Sequence, residues 1–310
     1  MKIDLHIHSN YSDGRMTPAQ IFESAVQSRV SVLSITDHDS IDGQEEAKTL
    51  SAKFEIEYIH GLELNVSFSH LDYREGKPAS LDFLAYDFDI HDGPLTRKLM
   101  ELRDYREKRA EKILEKINHE LLKENLKLFT RKDLAEIQNS VDGAFGRPHI
   151  ANYMVKKGIV ASKQEAFDRY LVKCNVPKMP LSLPEASDLV RGAGGKLMLA
   201  HPNHPRGTSL APFTQDLAMQ QGIIREAMLQ YIDGIECWHS RHNALSTRSY
   251  LDFARKSGLM VTGGSDCHQQ PVLIGTVEVP EFVMEQFGIF ARPDSKNRQI
   301  GNPHFKGAPP

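Results

Sequence analysis

The stretch DLHIHSNYSDG, residues 4–14, places two histidines and an aspartate in a segment that otherwise resembles a β-strand followed by a loop. Successive side chains of a strand point to opposite faces, so His6 and His8 share one face, and Asp13 follows in the loop behind them. If such groups packed together without an ion, their removal from water would cost considerable free energy. The three residues are therefore candidate metal ligands.

Acidic and imidazole side chains also follow other predicted strands. Asp266 and His268 repeat the i, i+2 spacing at the end of LMVTGGSDCH. We predict that His38 ends the strand in SITDHD, Glu63 the strand in GLELN and His201 the strand in LMLAHP. In parallel barrels and open α/β sheets the carboxyl ends of strands line the active site, so we expect these side chains to converge.

The expected ligands are imidazole and carboxylate groups without thiolate, because Cys174, Cys237 and Cys267 are too few and too scattered for a cysteine-based zinc site. This set suits zinc, manganese or iron(II) better than calcium or magnesium. It also exceeds what one ion needs. We therefore expect two or three divalent ions, with Glu63 as a bridging carboxylate.

Short apolar runs alternate with helical patterns over much of the chain. Strands are predicted over 2–8 and 30–37 and in IEYIHGLELNV, SLDFLAYDF, KLMLAHP, DGIECWH and LMVTGGSDCH. A helix is predicted from Thr17, with Pro18 at its first position. The alternation indicates an α/β fold with a mostly parallel sheet, either open or closed into a barrel.

The pattern changes between residues 95 and 180, where apolar residues recur at helical spacing and no strand is predicted. Twelve Lys or Arg residues and seven Asp or Glu residues lie between Arg97 and Lys132. This basic stretch is either a solvated helix face or a lid that attracts phosphate. The last twenty residues or so are rich in Pro, Gly and polar residues and are expected to form a poorly ordered tail.

Composition limits the class of protein. The 310 residues are 40% hydrophobic and carry a formal net charge of -3, which gives no global reason to expect nucleic-acid binding. No apolar run approaches the length of a membrane span, and the N-terminus resembles a strand rather than a signal peptide. A cytoplasmic, reduced protein without a membrane partner is expected.

The motifs together resemble the polymerase and histidinol phosphatase (PHP) superfamily, and most closely its stand-alone metal-dependent phosphoesterases. The matching segments are DLHIHSNYSDG, ITDHDSIDG, GLELNV, FGRPHIANYMVKKGIV, LAHP, GIECWHSRH and GGSDCH. The resemblance implies a distorted seven-stranded (β/α) TIM-like barrel with an inserted small helical domain. The corresponding boundaries are 1–94 and 181–290 for the barrel, 95–180 for the insertion and 291–310 for the tail.

The resemblance also implies how the ions are distributed. One ion would be held by His6, His8, Glu63 and Asp266; a second by Glu63 and His201; and a third by Asp13, His38 and His268. Relatives offer the second ion another histidine, in a pattern like H-I-L-G-Y. Here the matching segment is SLDFLAY, so Asp82 stands in that position as an oxygen ligand.

Four residues are implied as phosphate contacts. Arg147 and His149 in GRPHIA resemble a pair that faces the substrate, although His149 could equally be a helix-surface residue. Lys178 in NVPKMP and His242 in WHSRHN occupy positions where relatives place such contacts.

Other residues near the motifs allow two interpretations. His204 and Arg206 follow His201 in the loop HPNHPRGTSL and either contact the substrate or form an ordinary surface loop. Trp238 could stack on a base or sugar, or pack in the core. Asp37 and Asp39 flank His38, and one of them could orient an imidazole. A last group matches no motif and is expected to be structural or exposed: His60, His70, His91, His119 and His304.

The expected reaction is hydrolysis of a phosphate ester by water activated between ions. Arg147 or Lys178 would stabilise charge on the phosphoryl oxygens, and His201 or His242 would protonate the leaving group. The expected substrate is a small nucleotide or sugar phosphate. A phosphoribosyl 1,2-cyclic phosphate diesterase and a 5′-3′ exonuclease on short oligonucleotides are the alternatives.

Two readings from other classes compete with a phosphoesterase. Amidohydrolase barrels also begin with H-x-H and end with an aspartate, but Asp13, His38 and His268 would have no role in a one- or two-metal amidohydrolase. A non-catalytic metal-binding or nucleic-acid-binding module is the other competitor, and the near-complete ligand set argues against it.

Overall fold

The computed structural model describes residues 1–138, 146–205, 207–268 and 273–290. The strands are β1 (Ile3–Ile7), β2 (Val32–Ile35), β3 (Glu57–Tyr58), β4 (Gly61–Phe68), β5 (Ala79–Tyr86), β6 (Lys196–Leu199), β7 (Gly234–His239) and β8 (Met260–Gly264). The helices are α1 (Pro18–Gln27), α2 (Gln44–Phe54), α3 (Gly93–Lys123), α4 (Arg131–Gln138), α5 (Arg147–Lys156), α6 (Lys163–Ala166), α7 (Leu183–Gly192), α8 (Leu217–Ala227), α9 (Ala244–Ser257) and α10 (Phe282–Glu285). A 3₁₀ turn at Arg74–Gly76 and a π-helical turn at Phe167–Leu171 complete the helical segments.

The strands form two sheets. One contains three parallel strands in the order β1-β2-β3, and the other contains five strands in the order β4-β5-β6-β7-β8. In the second sheet β5 runs antiparallel to both β4 and β6, while β6, β7 and β8 are parallel. The sheets are thus parallel except around β5, which follows β4 without the helical crossover that a parallel pair requires.

Isolated bridges connect the three-stranded sheet to both edge strands of the five-stranded sheet, at β4 and just beyond β8. Ile7 pairs with Cys267 beyond β8, and His38 beyond β2 pairs with Glu63 in β4. Glycines allow the close approach: a Cβ on Gly264 would lie 2.4 Å from the His6 amide nitrogen, and one on Gly61 would lie 2.1 Å from Ser34 Oγ. Among the described residues no continuous ladder closes a barrel, so the α/β class is confirmed and the closed barrel stays a prediction.

Local signals in the sequence explain where the helices begin. Thr17 caps α1 as predicted: its side chain accepts from the Gln20 amide, the Gln20 side chain accepts from the Thr17 amide, and Pro18 occupies the first turn. Asp92 caps α3, whose 31 residues correspond to about 46 Å of helix. Helix α3 leads from the sheets into the segment that was predicted to be helical.

The apolar side chains form separate clusters. Two clusters pack on the sheets, and the third contains residues between Ala110 and Cys174 that come from α3, α5 and the helical segments after them. Helix α3 joins them, since Leu95, Leu99 and Leu102 pack on the sheet side and Ile113 and Ile117 pack in the helical cluster. None of the helices described here has both the length and the apolar character needed to cross a membrane.

Candidate active site

One cluster contains every side chain that the sequence predicted as a metal ligand. Each lies on a strand or just beyond its end, and imidazole or carboxylate atoms of these residues approach one another in overlapping groups. The members are His6, His8, Asp13, His38, Glu63, Asp82, His201, Asp266 and His268.

Four of these side chains have donor atoms at the spacing expected around one ion. His6 Nε2 lies 3.1 Å from His8 Nε2, 3.5 Å from Glu63 Oε2 and 3.4 Å from Asp266 Oδ1. His8 Nε2 lies 3.1 Å from Glu63 Oε2 and 3.3 Å from Asp266 Oδ1. Ligands about 2.0–2.2 Å from a tetrahedral ion are about 3.3–3.6 Å apart, so the two imidazole nitrogens have the spacing to share a divalent cation with either carboxylate oxygen.

Two further groups extend the cluster. Asp13 Oδ1 lies 3.2 Å from His268 Nε2 and 4.0 Å from His38 Nε2, and these three residues form a candidate group with His8. His201 Nε2 lies 3.2 Å from the other Glu63 oxygen, Oε1. Glu63 therefore faces imidazoles with both of its oxygens, as a bridging carboxylate would.

Asp82 is the member of the cluster whose two oxygens both accept hydrogen bonds from neighbouring side chains. It forms a candidate group with His38 and Glu63. Asn65 donates to Asp82 Oδ1 at 2.5 Å, and the Thr208 hydroxyl donates to Oδ2. Burial and the neighbouring Glu63 charge raise the pKa of Asp82.

Hydrogen bonds behind the cluster fix which nitrogen faces it in two of the imidazoles. His6 Nδ1 lies 2.9 Å from Glu236 Oε1, so Nδ1 carries the proton and Nε2 presents a lone pair to the cluster. His268 Nδ1 lies 3.0 Å from the Asp266 carbonyl oxygen, with the same consequence. The other Glu236 oxygen accepts from the His201 amide at 2.7 Å. Sequence reasoning did not identify Glu236.

The charges in the cluster stabilise one another. Burial alone would lower the pKa of His8, but hydrogen bonds with Asp266 and Glu63 raise it to about 10. Burial also opposes the charged form of His201, whose pKa rises to about 9 because of Glu63. The pKa of Asp13 is well below its usual range, since nearby His38 and His268 outweigh the effect of burial. In the metal-free protein, protons therefore occupy positions that cations would take.

Loop contacts hold the ligands in place. The buried Asp37 carboxylate accepts from the Ser9 amide at 2.7 Å and from the Ser12 hydroxyl at 2.5 Å, which fixes the loop that carries Asp13. Asp39 accepts from the Asn65 amide and from Arg106 of α3. Neither aspartate is hydrogen-bonded to an imidazole in the described part of the structure. Asp37 instead holds the backbone of the loop that carries Asp13, and Asp39 links β4 to α3.

A cavity of about 570 Å³ opens beside the cluster. Its lining includes Asp13, His38 and Asp82 from the cluster, together with cationic and aromatic side chains from the helical segment. The latter are Tyr105, Arg106, Arg109, Arg147, His149, Phe167 and Lys178.

Three of the predicted substrate contacts line this cavity. They are Arg147, His149 and Lys178. His149 Nδ1 accepts from the Gly146 amide at 3.0 Å, so its proton is on Nε2. Arg147 lies at the start of α5 with its guanidinium 5.6 Å from the Phe167 ring centre.

Two other predicted contacts, His204 and His242, do not line the described cavity. His242 Nδ1 bonds the Cys237 carbonyl at 3.0 Å and Nε2 accepts from the Asn203 amide at 3.4 Å, so both nitrogens engage backbone. Burial lowers the pKa of His242 to about 4, which keeps it neutral. The half-buried His204 ring packs between the rings of His201 and His239. Arg206 lies outside the described residues.

The structure decides between the two roles that the sequence left open for Trp238, stacking on a substrate or packing in the core. Trp238 is partly buried with its ring 6.0 Å from that of Phe282, and it does not line the cavity; it packs with the core. His239, at the end of β7, was not identified from the sequence, although its Nε2 lies 3.2 Å from Asp266 Oδ2. Its position at a strand end was the available signal.

The fold and cluster define an α/β protein in which imidazole and carboxylate side chains, all candidate metal ligands, gather beside its strands. The family model of the PHP domain matches residues 4–173, which is more than half of the chain. The chain therefore belongs to the PHP domain family, as its motifs predicted.

Individual proteins agree with this assignment. A 5′-3′ exoribonuclease of Haemophilus influenzae is 31% identical over 211 residues, covering 65% of this chain and 69% of that protein. A 3′,5′-nucleoside bisphosphate phosphatase of Chromobacterium violaceum is 25% identical over 278 residues, covering 86% of this chain and 87% of that protein. The crystal structure of a Bifidobacterium adolescentis protein, described as a metal-dependent phosphoesterase, matches with a TM-score of 0.73 and 26% identity over 92% of this chain and 94% of that one.

Proposed function

We propose that this protein is a metal-dependent phosphoesterase that hydrolyses a phosphate ester of a small nucleotide or sugar phosphate. One observation supports this above all: the fully buried imidazole nitrogens of His6 and His8 lie at ligand spacing from each other and from carboxylate oxygens of Glu63 and Asp266. The cluster to which they belong borders a cavity that also contains Arg147 and Lys178. Such a cavity pairs cation sites with side chains that attract anions.

The cluster would hold two or three divalent ions of manganese, zinc or iron. We assign the first to the four donors above, the second to Glu63, His201 and Asp82, and the third to Asp13, His38 and His268. Bound ions would supply an activated water and neutralise charge on the phosphoryl oxygens. The protein's own part is to keep the imidazole nitrogens in the correct tautomer and to exclude bulk water from His6 and His8, which are fully buried.

The cavity side chains would bind and orient the substrate. Lys178 and Arg147 would attract its phosphate groups, and His149 would donate from Nε2. A volume of about 570 Å³ suits a small ligand and not a folded polymer, so nucleic acid would enter only as a short oligonucleotide. Neither of the two histidines expected to protonate the leaving group is retained in that role, because both nitrogens of His242 engage backbone and His201 is assigned to the second ion through its Nε2.

The arrangement of the chain supports two further proposals. Strands β1, β2 and β4–β8 would correspond to the seven-stranded barrel of 1–94 and 181–290. The isolated bridges at Ile7 and His38 would connect the two sheets within that barrel. Residues 95–180 would be the inserted helical domain, which the separate apolar cluster supports. A cytoplasmic location agrees with three free, buried cysteines and stays a prediction.

A substrate panel tests the function. Protein loaded with Mn²⁺ is incubated with a nucleoside 3′,5′-bisphosphate, a ribose cyclic phosphate, sugar phosphates, a short oligonucleotide and, for the amidohydrolase alternative, simple amides. We expect product from at least one phosphate ester and none from the amides. If the metal-loaded protein releases no product from any of the phosphate esters, or hydrolyses only an amide, the proposal is overturned.

A further inference from the structure

We propose that His239 is a positioning residue that holds the ligand carboxylate of Asp266 through its Nε2–H group and does not itself bind a metal ion. The inference rests on the proposed metal centre and assigns a role to a residue behind it. The side chain of His239 is fully covered, and its Nε2 lies 3.2 Å from Asp266 Oδ2. Neither His239 nor Asp266 lines the described cavity, so this contact lies away from the cavity side chains proposed to bind the substrate.

The backbone of the following loop fixes the tautomer of His239. The Arg241 amide lies 3.1 Å from His239 Nδ1 and can only donate a hydrogen bond, so Nδ1 accepts and carries no proton. The neutral ring must therefore carry its proton on Nε2, which faces Asp266. His6 and His268 have the opposite arrangement, because their Nδ1 atoms face the acceptors Glu236 Oε1 and the Asp266 carbonyl.

Asp266 uses its two oxygens differently. Oδ1 faces the imidazoles of His6 and His8 at 3.4 and 3.3 Å, whereas Oδ2 faces His239 alone among its recorded partners. A hydrogen bond on Oδ2 leaves Oδ1 to face the ion and sets the orientation of the carboxylate. Asp266 also has a φ of 54°, in the left-handed region that side chains rarely adopt, so fixed contacts must hold its conformation.

The competing role is a metal ligand, since His239, His6 and Asp266 form a group of possible ligands. Coordination through Nε2 would move the imidazole proton to Nδ1, opposite the Arg241 N–H. Two donors would then face each other in a buried position. The backbone around β7 therefore favours the donor role.

Two substitutions separate these roles. In His239→Gln the amide nitrogen can replace the Nε2 donor, whereas His239→Phe keeps a ring without a donor. The full-length proteins are stripped of metal, checked by circular dichroism and thermal melting, and titrated with Mn²⁺ by calorimetry. Bound metal per chain is measured separately by mass spectrometry. His239→Leu replaces the Phe variant if the latter fails to fold.

We expect His239→Gln to bind the wild-type number of ions with a Kd within about threefold of wild type. His239→Phe should bind the same number with a Kd about 10–100-fold weaker and a lower kcat at similar KM. Loss of one ion from His239→Gln would make His239 a ligand, and an unchanged Kd in His239→Phe would remove the positioning role; either result overturns the inference. Metal binding is read without turnover, so failure to hydrolyse any substrate leaves this test intact.

Discussion

The two sides of the metal cluster differ in how their side chains are held. On the closed side His6, Glu236 and His239 are almost fully buried, and their polar atoms engage one another or the backbone. On the open side the Asp13 and His38 side chains are 28% and 29% exposed and border the cavity. The closed side thus has the preorganisation that metal ligands require, and the open side has the access that a substrate requires.

The cations around the cavity show the same division of roles. Arg109 donates to the Val176 carbonyl and to Asn175, and Arg106 pairs with Asp39, so both join α3 to its surroundings. Lys178 has no recorded hydrogen bond or ion pair among the described residues. Substitutions on the closed side should therefore change metal binding, and substitution of Lys178 should change substrate binding.

The largest effect is expected from His8→Ala. It removes a donor atom that lies within 3.3 Å of His6, Glu63 and Asp266 donor atoms, so the central ion loses a ligand and the carboxylates lose a charge partner. We expect kcat to fall by at least about a thousandfold, with a reduced metal content and a retained circular dichroism spectrum. His91→Ala is the matched control, because His91 is exposed and pairs only with Glu45 among its recorded partners. Full activity in His8→Ala would remove the metal centre from the mechanism.

A second test changes the pH. In the metal-free protein the pKa values of His8 and His201 are about 10 and 9, so both rings hold protons at neutral pH that a cation must displace. The Kd for Mn²⁺ should therefore decrease about tenfold per pH unit for each proton released between pH 6 and 8. Calorimetry in two buffers with different ionisation enthalpies measures that release. A Kd independent of pH would contradict it.

The stability of the metal-free protein should change in the opposite direction to its metal affinity, decreasing as the pH rises. A folded-state pKa above the unfolded value of 6.5 stabilises the folded state below that pH. This contribution is lost as the pH rises through about 9 and 10. Without metal, the melting temperature should fall over that range, and saturating Mn²⁺ should reduce the fall.

A smaller loss is expected from Glu236→Gln. Both Glu236 oxygens are acceptors, one from the proton on His6 Nδ1 at 2.9 Å and the other from the His201 amide at 2.7 Å. The glutamine side chain offers only one acceptor oxygen, so either the His6 Nδ1–H group or the His201 amide would face an N–H group of the glutamine. We expect a 10–100-fold weaker Kd for Mn²⁺, and a correspondingly lower activity at limiting metal. Glu226→Gln on exposed α8 is the control, and equal metal affinity in both variants would contradict a role for Glu236.

The difference between the two sides also explains what the sequence could predict. The positions of His6 and His8 at the end of β1 follow from simple alternation, so these two candidate ligands could be located before the fold was known, whereas Glu63 is the third residue of β4 and not at the strand end that the sequence predicted. Glu236 and His239 could not be paired in this way, because they lie an odd number of residues apart. The β7–β8 register shifts between Glu236 and Trp238, and this bulge lets both residues face the cluster.

Tertiary contacts were equally hidden from the sequence on the open side. The segments GRPHIA and NVPKMP pointed to Arg147, His149 and Lys178, but nothing in the local pattern predicted that Arg106 and Arg109, whose partners lie up to 67 residues away, also line the cavity. The antiparallel direction of β5 was missed for a related reason, since strand periodicity does not encode direction.

The smallest effect is expected from Lys178→Ala, and it tests the open side alone. Lys178 lines the cavity and belongs to none of the candidate ligand groups, so its removal should leave the number of bound ions and the Kd for Mn²⁺ unchanged. Loss of one charge-assisted contact to phosphate should raise KM about tenfold, with a smaller change in kcat. Lys173→Ala is the matched control, because Lys173 pairs with Glu120 on the helical surface. A changed metal Kd in Lys178→Ala would mean that the two sides are coupled, whereas an unchanged KM would move the phosphate contact to Arg147 or His149.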